Sequence, residues 1–404
     1  MNTGDISWIL LCSALVLLMT PGLALFYGGL ARSKNAGATI MHSFMSMGIV
    51  GVVWALWGYT LAFGPDMGNF IGDFSWFGLK DVSATEPGPY ADNMPHQAFM
   101  VFQGMFAIIT PALITGAFAE RMKFSAYVIF IVLWVTIVYA PLAHWVWGGG
   151  WIGELGGLDF AGGTVVHISS GVGALAAALV FGKRLGWGTE SMEPHNVPMV
   201  VLGAGLLWFG WFGFNAGSAL AADGNAVNAF VVTNIAAAAG VLGWVFLAWL
   251  RDGSPSVIGA ASGAVAGLVA ITPAAGFVGP MPAIVIGLVA GGLCYGAATL
   301  LVRLNVDDSL SVWGVHGVGG TWGALATGLF VGVGFGSLAE FTDVSRGTQI
   351  WYQLVSIGAS WAWTFVLTGG ILLAIKYTIG IRVDDNKEVV GLDVGEHSEQ
   401  AYRW

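Results

Sequence analysis

Long runs of apolar residues follow one another from end to end of this 404-residue chain. Each run is about 20 residues long, the length that an α-helix needs to cross about 30 Å of hydrocarbon. Only 9% of the residues are charged and 56% are hydrophobic, whereas soluble domains carry about 25% charged residues. The sequence therefore excludes a soluble protein and predicts an all-α polytopic membrane protein in a lipid bilayer.

Hydropathy and helix-breaking residues divide the chain into eleven predicted transmembrane helices. They cover about 7–31, 38–63, 96–119, 124–147, 161–182, 197–221, 226–250, 256–275, 281–303, 312–334 and 349–378. The first stretch lacks the positively charged start of a cleaved signal peptide. We therefore expect it to be retained as a span that enters from outside.

The basic residues test this count, because cytoplasmic loops are enriched in Lys and Arg. With the N-terminus outside, only Lys80 and Arg346 of the 14 basic residues fall on the outer side. The other twelve fall inside: Arg32, Lys34, Arg121, Lys123, Lys183, Arg184, Arg251, Arg303, Lys376, Arg382, Lys387 and Arg403. This distribution predicts an N-out, C-in topology.

Two histidines each follow an aspartate by eight residues within apolar segments. These are Asp159 with His167 in DFAGGTVVH, and Asp308 with His316 in DSLSVWGVH. If each aspartate begins a helix, each ring lies roughly 12 Å inside its segment. An ionisable side chain at that depth is a functional candidate.

The repeated spacing indicates two halves of opposite orientation, as in inverted-repeat membrane proteins. We predict five helices in each half, about 1–185 and 195–345, and an eleventh helix outside the repeat. The same relation links IITPA at 108–112 with AITPA at 270–274, again five spans apart. The membrane domain then covers 1–380, and 381–404 form a cytoplasmic tail. In this arrangement the two histidine rings reach similar depth and can touch.

Structural interpretations of these residues stay open. A single buried histidine such as His42 can simply satisfy a neighbouring helix. Asp159 and Asp308 can act as helix caps, and we expect Asp159 to support a site rather than bind a cation directly. Interfacial belts explain many aromatic residues, but aromatic faces also attract a small cation by about 0.5–2 kcal/mol each. Those considered for such a cage are Phe106, Trp147 and Phe214, with Ser218 nearby.

Five segments together resemble the Amt/Mep/Rh family of ammonium transporters, in particular its bacterial and archaeal Amt branch. They are TPGLALFYGGL at 20–30, LDFAGGTVVHI at 158–168, WFGFNAGSA at 211–219, GVHGVGG at 314–320 and GLDVGEHSEQAY at 391–402. The resemblance covers essentially the whole chain. It implies a homotrimer with a pore through each subunit, in the plasma membrane (the inner membrane of a bacterium), and a protein that is not an enzyme and needs no cofactor or metal.

The resemblance also implies roles for individual residues. An external ammonium site would comprise Trp147, Phe106 and Ser218, with Asp159 as its support. Phe106 and Phe214 would form a gate, and His167 with His316 would line the pore. Close to the pathway we expect Gln103, Thr272 and Phe102.

The predicted function is ammonium uptake in which ammonium is deprotonated and passes the histidines as ammonia. The alternative function is that of an ammonium sensor, which signals through its tail. We expect a PII-type signal protein as a partner at the cytoplasmic face. We expect no binding of nucleic acid. A haem-binding redox subunit and a transporter of organic solutes are weaker alternatives. Two segments depart from the family pattern. Before the second histidine, Ser311 and Trp313 stand where many members have an acidic residue and a phenylalanine, and in the tail His397, Ser398 and Glu399 stand where HGE is usual.

Overall fold

The computed structural model describes residues 1–402, so Arg403, which we assign to the cytoplasmic side, lies outside the described residues. Helices occupy all eleven predicted ranges. They are α1 Thr3–Leu30, α2 Ser33–Phe63, α3 His96–Ala117, α4 Phe124–Leu155, α5 Gly163–Phe181, α6 Val197–Gly217, α7 Gly224–Asp252, α8 Val257–Ile271, α9 Pro280–Arg303, α10 Trp313–Gly317 continued by Val318–Phe330, and α11 Arg346–Thr378.

Within residues 1–402, nine helices are long and apolar enough to cross a membrane. The nine do not include α8, an apolar helix of 15 residues, or α10, whose α-helical part has 13. The all-α polytopic fold is confirmed. The eleven-span count, the orientation and the two inverted halves stay predictions.

Polar side chains begin several of the helices. Asn196 accepts a hydrogen bond from the Met199 amide at the start of α6, and Asp223 accepts bonds from two amides at the start of α7. Ser256 and Ser345 do the same for α8 and α11. These caps satisfy amides that a helix leaves unpaired at its start, which is why the apolar runs begin where they do.

Four of the helices contain a π-helical turn. The turns are Trp54–Gly58 in α2, Val135–Tyr139 in α4, Gly163–Ile168 in α5 and Trp313–Gly317 in α10. Such turns are rare and frequently mark functional sites. Two of the four contain the paired histidines, so the rings lie where the backbone departs from regular α-helix.

The buried face of helix α11 carries several polar residues. Its fully buried residues include Gln349, Gln353, Ser360, Thr364 and Thr368. Polar residues inside a membrane bundle contribute hydrogen bonds between helices. The helix outside the predicted repeat is therefore bonded to the two halves as well as packed on them.

The loop between α2 and α3 contains two short antiparallel hairpins that the all-α prediction does not include. Strands β1 Asp66–Met67 and β2 Ile71–Gly72 pair Asp66 with Gly72, and β3 Pro87–Gly88 pairs with β4 Ala91–Pro95. The first hairpin is held to α4, because Asp66 Oδ1 lies 2.8 Å from His144 Nε2. This contact holds the loop beside the C-terminal part of α4.

The tail folds back on the N-terminal end of α2. It forms two short helices, α12 Asp385–Val390 and α13 Leu392–His397. Asp393 accepts hydrogen bonds from the amides of Gly37 (3.0 Å) and Ala38 (2.7 Å). Burial raises the pKa of Asp393 above its usual value in spite of these bonds. The tail carboxylate thus takes the place of a capping residue for α2.

Candidate functional site

The two histidine rings lie in contact. His316 Nδ1 is 3.3 Å from His167 Nδ1, and the ring centroids are 5.3 Å apart at an interplanar angle of 29°. Both side chains are buried. One facing nitrogen must carry the hydrogen and the other must accept it, so the contact suits a pair of neutral imidazoles. It also leaves no room for an iron atom between these two nitrogens, which argues against the haem alternative.

Asp159 organises the turn that leads to His167. Its carboxylate accepts hydrogen bonds from the amides of Gly162 (2.8 Å), Gly163 (2.6 Å) and Thr164 (2.7 Å), and from the Thr164 hydroxyl. The depth estimate of 12 Å is wrong, because the helix begins at Gly163 and not at the aspartate. His167 therefore stands only roughly 6 Å along its helix.

The second histidine has a less complete version of the same arrangement. Asp308 Oδ2 accepts a hydrogen bond from the Trp313 amide at 2.7 Å. Its other carboxylate oxygen has no hydrogen-bond partner in the described part of the chain. Burial raises the pKa of Asp308 to about 6.

Glycines let the two histidine-bearing helices approach at backbone distance. A Cβ at Gly171 would overlap backbone atoms of Gly317, and one at Gly320 would lie 2.9 Å from His167 Cβ. Side chains at these positions would separate α5 from α10. The small residues of HGVGG are thus required by the packing that brings the rings together.

A cavity of about 320 Å³ opens above the histidines. Four residues of the predicted pathway line it: Gln103, Phe106, Trp147 and Ser218. The full lining is Tyr90, Phe99, Gln103, Phe106, Val146, Trp147, Phe160, Ser218 and Leu220. We call this cavity the vestibule. Its walls are mainly aromatic, with two hydroxyls, those of Tyr90 and Ser218, and one carboxamide among them.

Phe106 and Phe214 separate the vestibule from the histidines. Their ring centroids are 4.3 Å apart, and Trp147 lies edge-on to Phe106 at 6.1 Å. Phe106 lines the vestibule, while Phe214 lines a second cavity below it. The Ser218 hydroxyl donates to the Phe214 carbonyl at 2.9 Å. The two phenyl rings therefore fill the passage between the cavities.

The second cavity, which we call the narrow cavity, is enclosed and measures only about 10 Å³. That is about the space of one water molecule. It is lined by Met19, Leu23, Phe26, Ile109, Leu113, Val166, His167, Leu207, Trp211, Phe214, Val265 and His316. Apart from the two imidazoles and the indole of Trp211, these side chains have no polar nitrogen or oxygen.

Three predicted residues lie behind the cavity walls. Asp159 is buried with its oxygens bonded to amides, and its carbonyl accepts from Trp147 Nε1 at 2.8 Å. Thr272 accepts a hydrogen bond from Trp211 Nε1 at 2.9 Å. Phe102 packs against Phe106 with ring centroids 5.0 Å apart. Each supports a residue that faces a cavity.

Sequence analysis missed Trp211 and Tyr90 as site residues. Trp211 stacks on His167 with centroids 5.4 Å apart. Its position three residues before Phe214 puts both on one helix face, which is a signal that the sequence offered. Tyr90 comes from the loop between α2 and α3 and donates to the Phe63 carbonyl at 2.8 Å. Nothing in its local sequence indicates that contact.

The sequence is similar to those of known ammonium transporters. The model of the Ammonium Transporter Family matches residues 7–402. The chain is 52% identical to "Ammonium transporter" of Bacillus subtilis, covering 100% of this chain and 99% of that protein. It is 45% identical to "Ammonium transporter Amt1" of Archaeoglobus fulgidus, covering 100% of each.

Two solved structures superpose closely on this chain. The crystal structure of Candida albicans Mep2 superposes with a TM-score of 0.88 at 38% identity, over 96% of this chain and 88% of that one. A structure described as "Sensor Amt Protein" superposes with a TM-score of 0.90 at 32% identity, over 97% of this chain and 98% of that one.

Proposed function

Because this chain belongs to the ammonium transporter family, we propose that it takes up ammonium across the plasma membrane, deprotonates it at the phenyl gate and conducts it as ammonia past the two histidines. The succession of a wide aromatic vestibule, two phenyl rings in contact and a narrow cavity with touching imidazoles carries this proposal. The protein is a multi-pass membrane transporter and not an enzyme.

The vestibule suits a small cation. Trp147 and Phe106 present aromatic faces, each worth about 0.5–2 kcal/mol to a cation. The Ser218 oxygen keeps lone pairs for an ammonium N–H, since its own hydrogen goes to a carbonyl. Gln103 Oε1, which is buried and without a hydrogen-bond partner in residues 1–402, adds an acceptor. Asp159 supports this site through its bond to Trp147.

The narrow cavity does not suit a cation. A charge taken out of water into a protein interior costs several kcal/mol. A space of about 10 Å³ admits no hydration shell, and aromatic attraction of about 0.5–2 kcal/mol per ring does not offset the loss. Ammonium can avoid this cost by giving its proton to water in the vestibule and crossing as ammonia, whereas potassium has no proton to lose. Neutral ammonia can then donate to and accept from the imidazoles.

The double variant His167→Ala/His316→Ala tests the mechanism. Ammonium and potassium pulses on proteoliposomes give the selectivity, and parallel uptake shows whether net charge moves. We expect the variant to lose its preference for ammonium over potassium, because water and ions can enter where the rings stood. Selectivity equal to that of the wild type would overturn the mechanism.

His42→Ala is the matched control. His42 is buried in α2 like the pair, but it contacts Tyr127 (ring centroids 4.5 Å apart) and Phe118 (6.1 Å) and lines neither cavity. Its removal also deletes a buried imidazole, so it costs comparable packing. We expect unchanged selectivity in this variant.

A sensor function is the second candidate, and the folded tail is the observation that favours it. The tail is bonded to α2 through Asp393, and Lys34 Nζ donates to the carbonyls of Glu388 (3.0 Å) and Val389 (2.7 Å). A structural relative is itself described as a sensor. Ammonium binding with little flux in proteoliposomes would favour this function, whereas sustained flux favours transport.

We also propose assembly as a homotrimer, a C-in orientation of the tail and a PII-type protein as partner of that face. Light scattering of the purified protein in detergent tests the trimer. Protease access to the tail in oriented vesicles tests the orientation. Co-purification with an added PII-type protein tests the partner.

A further inference from the structure

One side chain of α11 is bonded to backbone of both histidine-bearing segments. Gln353 Oε1 accepts from the Leu158 amide at 2.7 Å, and Gln353 Nε2 donates to the carbonyls of Leu158 (2.8 Å) and Ala324 (2.9 Å). Gln349 Nε2 approaches the same Oε1 at 3.3 Å. Both donors and both acceptor sites of the carboxamide are thus used.

The two residues whose backbone Gln353 binds lie on segments that carry residues of the candidate site. Leu158 immediately precedes Asp159, whose carboxylate builds the turn that leads to His167. Ala324 lies on α10, the helix that carries His316. The side chain therefore links the entrance of one pore helix to the body of the other.

Gln353 is bonded differently from three other buried polar residues of α11. Ser356 and Ser360 donate only to carbonyls one turn back in their own helix, at 2.8 Å each. Gln349 donates to the Gly156 carbonyl at 2.9 Å, so it reaches the segment before α5, but its bonds do not extend to α10 as those of Gln353 do. A fully buried carboxamide is costly unless it is bonded, and an apolar residue of similar size would fill the same space. The bonds themselves distinguish this position from ordinary packing.

We infer that Gln353 is a positioning residue for the pore, which fixes the segment before Asp159 against the His316 helix. The inference rests on the proposed ammonium transport. Without this side chain, the Leu158 peptide and the Ala324 carbonyl lose their partners, and the Asp159 carbonyl that holds Trp147 is no longer anchored from the other side. The vestibule and the histidine contact should loosen together.

Gln353→Met is the first test, because it keeps the length and removes the bonds. Hydrogen exchange of the segment 156–164 should become about tenfold faster, since the Leu158 amide loses its acceptor. Exchange within the middle of α11 should stay unchanged. Unchanged exchange at 156–164, or a uniform increase over the whole chain, would overturn the positioning role.

The matched control is Ser360→Ala, two turns along the same buried face of α11. It also removes a buried polar group, but one bonded only within its own helix. We expect wild-type exchange at 156–164. If this control accelerates exchange there as strongly as Gln353→Met does, the effect comes from α11 packing in general and the inference fails.

Transport gives a second readout. The ammonium concentration for half-maximal uptake by Gln353→Met should rise about tenfold, because the recruitment site is displaced. A merely structural role would lower the amount of active protein and leave that concentration unchanged. Wild-type protein without ammonium flux would overturn the proposed function itself; wild-type flux with an unchanged half-maximal concentration in the variant would overturn only the positioning role.

Gln353→Glu keeps the test valid if the methionine variant does not fold. A carboxylate still accepts from the Leu158 amide but cannot donate to the two carbonyls. Because the carboxylate would instead repel the Leu158 and Ala324 carbonyls, we expect the segment to be displaced, with faster exchange at 156–164 than in the wild type, although less fast than in Gln353→Met, and a raised half-maximal concentration. Wild-type values for both in this variant would contradict the inference.

Discussion

The distance between the two imidazoles is set by the contact of α5 with α10, and Gly171→Ala tests this dependence. A Cβ at Gly171 would lie 1.9 Å from the Gly317 amide nitrogen, whereas ordinary contact begins at 3.4 Å. The helices must therefore separate by about 1.5 Å. The Nδ1 to Nδ1 distance of 3.3 Å then grows to about 4.8 Å, beyond hydrogen-bond range.

The expected cost has two parts. Overpacking of a tight contact destabilises a protein by about 1–3 kcal/mol, and the lost hydrogen bond adds about 0.5–1.5 kcal/mol. Thermal unfolding of the purified variant in detergent measures the sum. Ammonium and potassium currents in proteoliposomes measure the functional result, which should resemble a milder form of the double histidine variant.

Gly173→Ala is the control for the same helix. Its Cβ would lie 3.2 Å from Cδ1 of Ile114, the mobile end of a side chain, and 3.4 Å from the Thr368 hydroxyl. We expect near wild-type stability and selectivity. If Gly171→Ala also keeps wild-type selectivity and current, the contact between the helices does not set the distance between the rings and the reasoning is refuted.

Three further predictions concern the gate and the two aspartates. Phe214→Ala should join the vestibule to the narrow cavity, lower the free energy of unfolding by about 3–5 kcal/mol and allow a potassium current. A variant that remains impermeable to potassium would contradict the role of Phe214 as a gate. Asp159→Asn should lower the unfolding temperature, because its amide group turns a donor towards backbone N–H groups and about 3 kcal/mol of bonding is lost; an unchanged temperature would contradict the cap. The pKa of Asp308 is raised to about 6 from 3.8, so the folded protein binds the proton more tightly than the unfolded chain. Stability should therefore fall as pH rises from 3.8 through about 6, and the unfolding temperature of Asp308→Asn should lack that part of the pH dependence. Identical pH profiles of unfolding temperature for the variant and the wild type would rule out a contribution from Asp308.

The helices were predictable because hydrophobic length and chain breakers determine them locally. All eleven predicted ranges contain a helix, and most ends agree within a few residues. The ends of α4, α6, α8 and α10 differ more from the prediction, and for α8 the cause is visible in the sequence. The prediction extends to 275, but α8 ends at Ile271, since Pro273 cannot continue the hydrogen bonding of a helix.

The pairing of the histidines could be anticipated from the sequence, but the groups that hold them could not. Gln353 and Leu158 are 195 residues apart in the chain, and no local pattern announces that a glutamine will bond to a distant peptide. The stacking of Trp211 on His167 likewise joins two helices. Periodicity identifies which side of a helix is buried, but not which neighbour covers it.

The eight-residue spacing between aspartate and histidine does not arise because the aspartate begins a helix and the histidine lies deep within it. In the first copy, about half of it is a non-helical segment that lets the Asp159 carboxylate reach the amides of the turn beginning at Gly163. The other half is the first π-helical turn, with its histidine near the end. In the second copy Asp308 reaches the amide of Trp313 in the same way. The spacing therefore specifies a histidine on the first turn of a capped helix, and the rings meet because two such first turns face each other across the glycines.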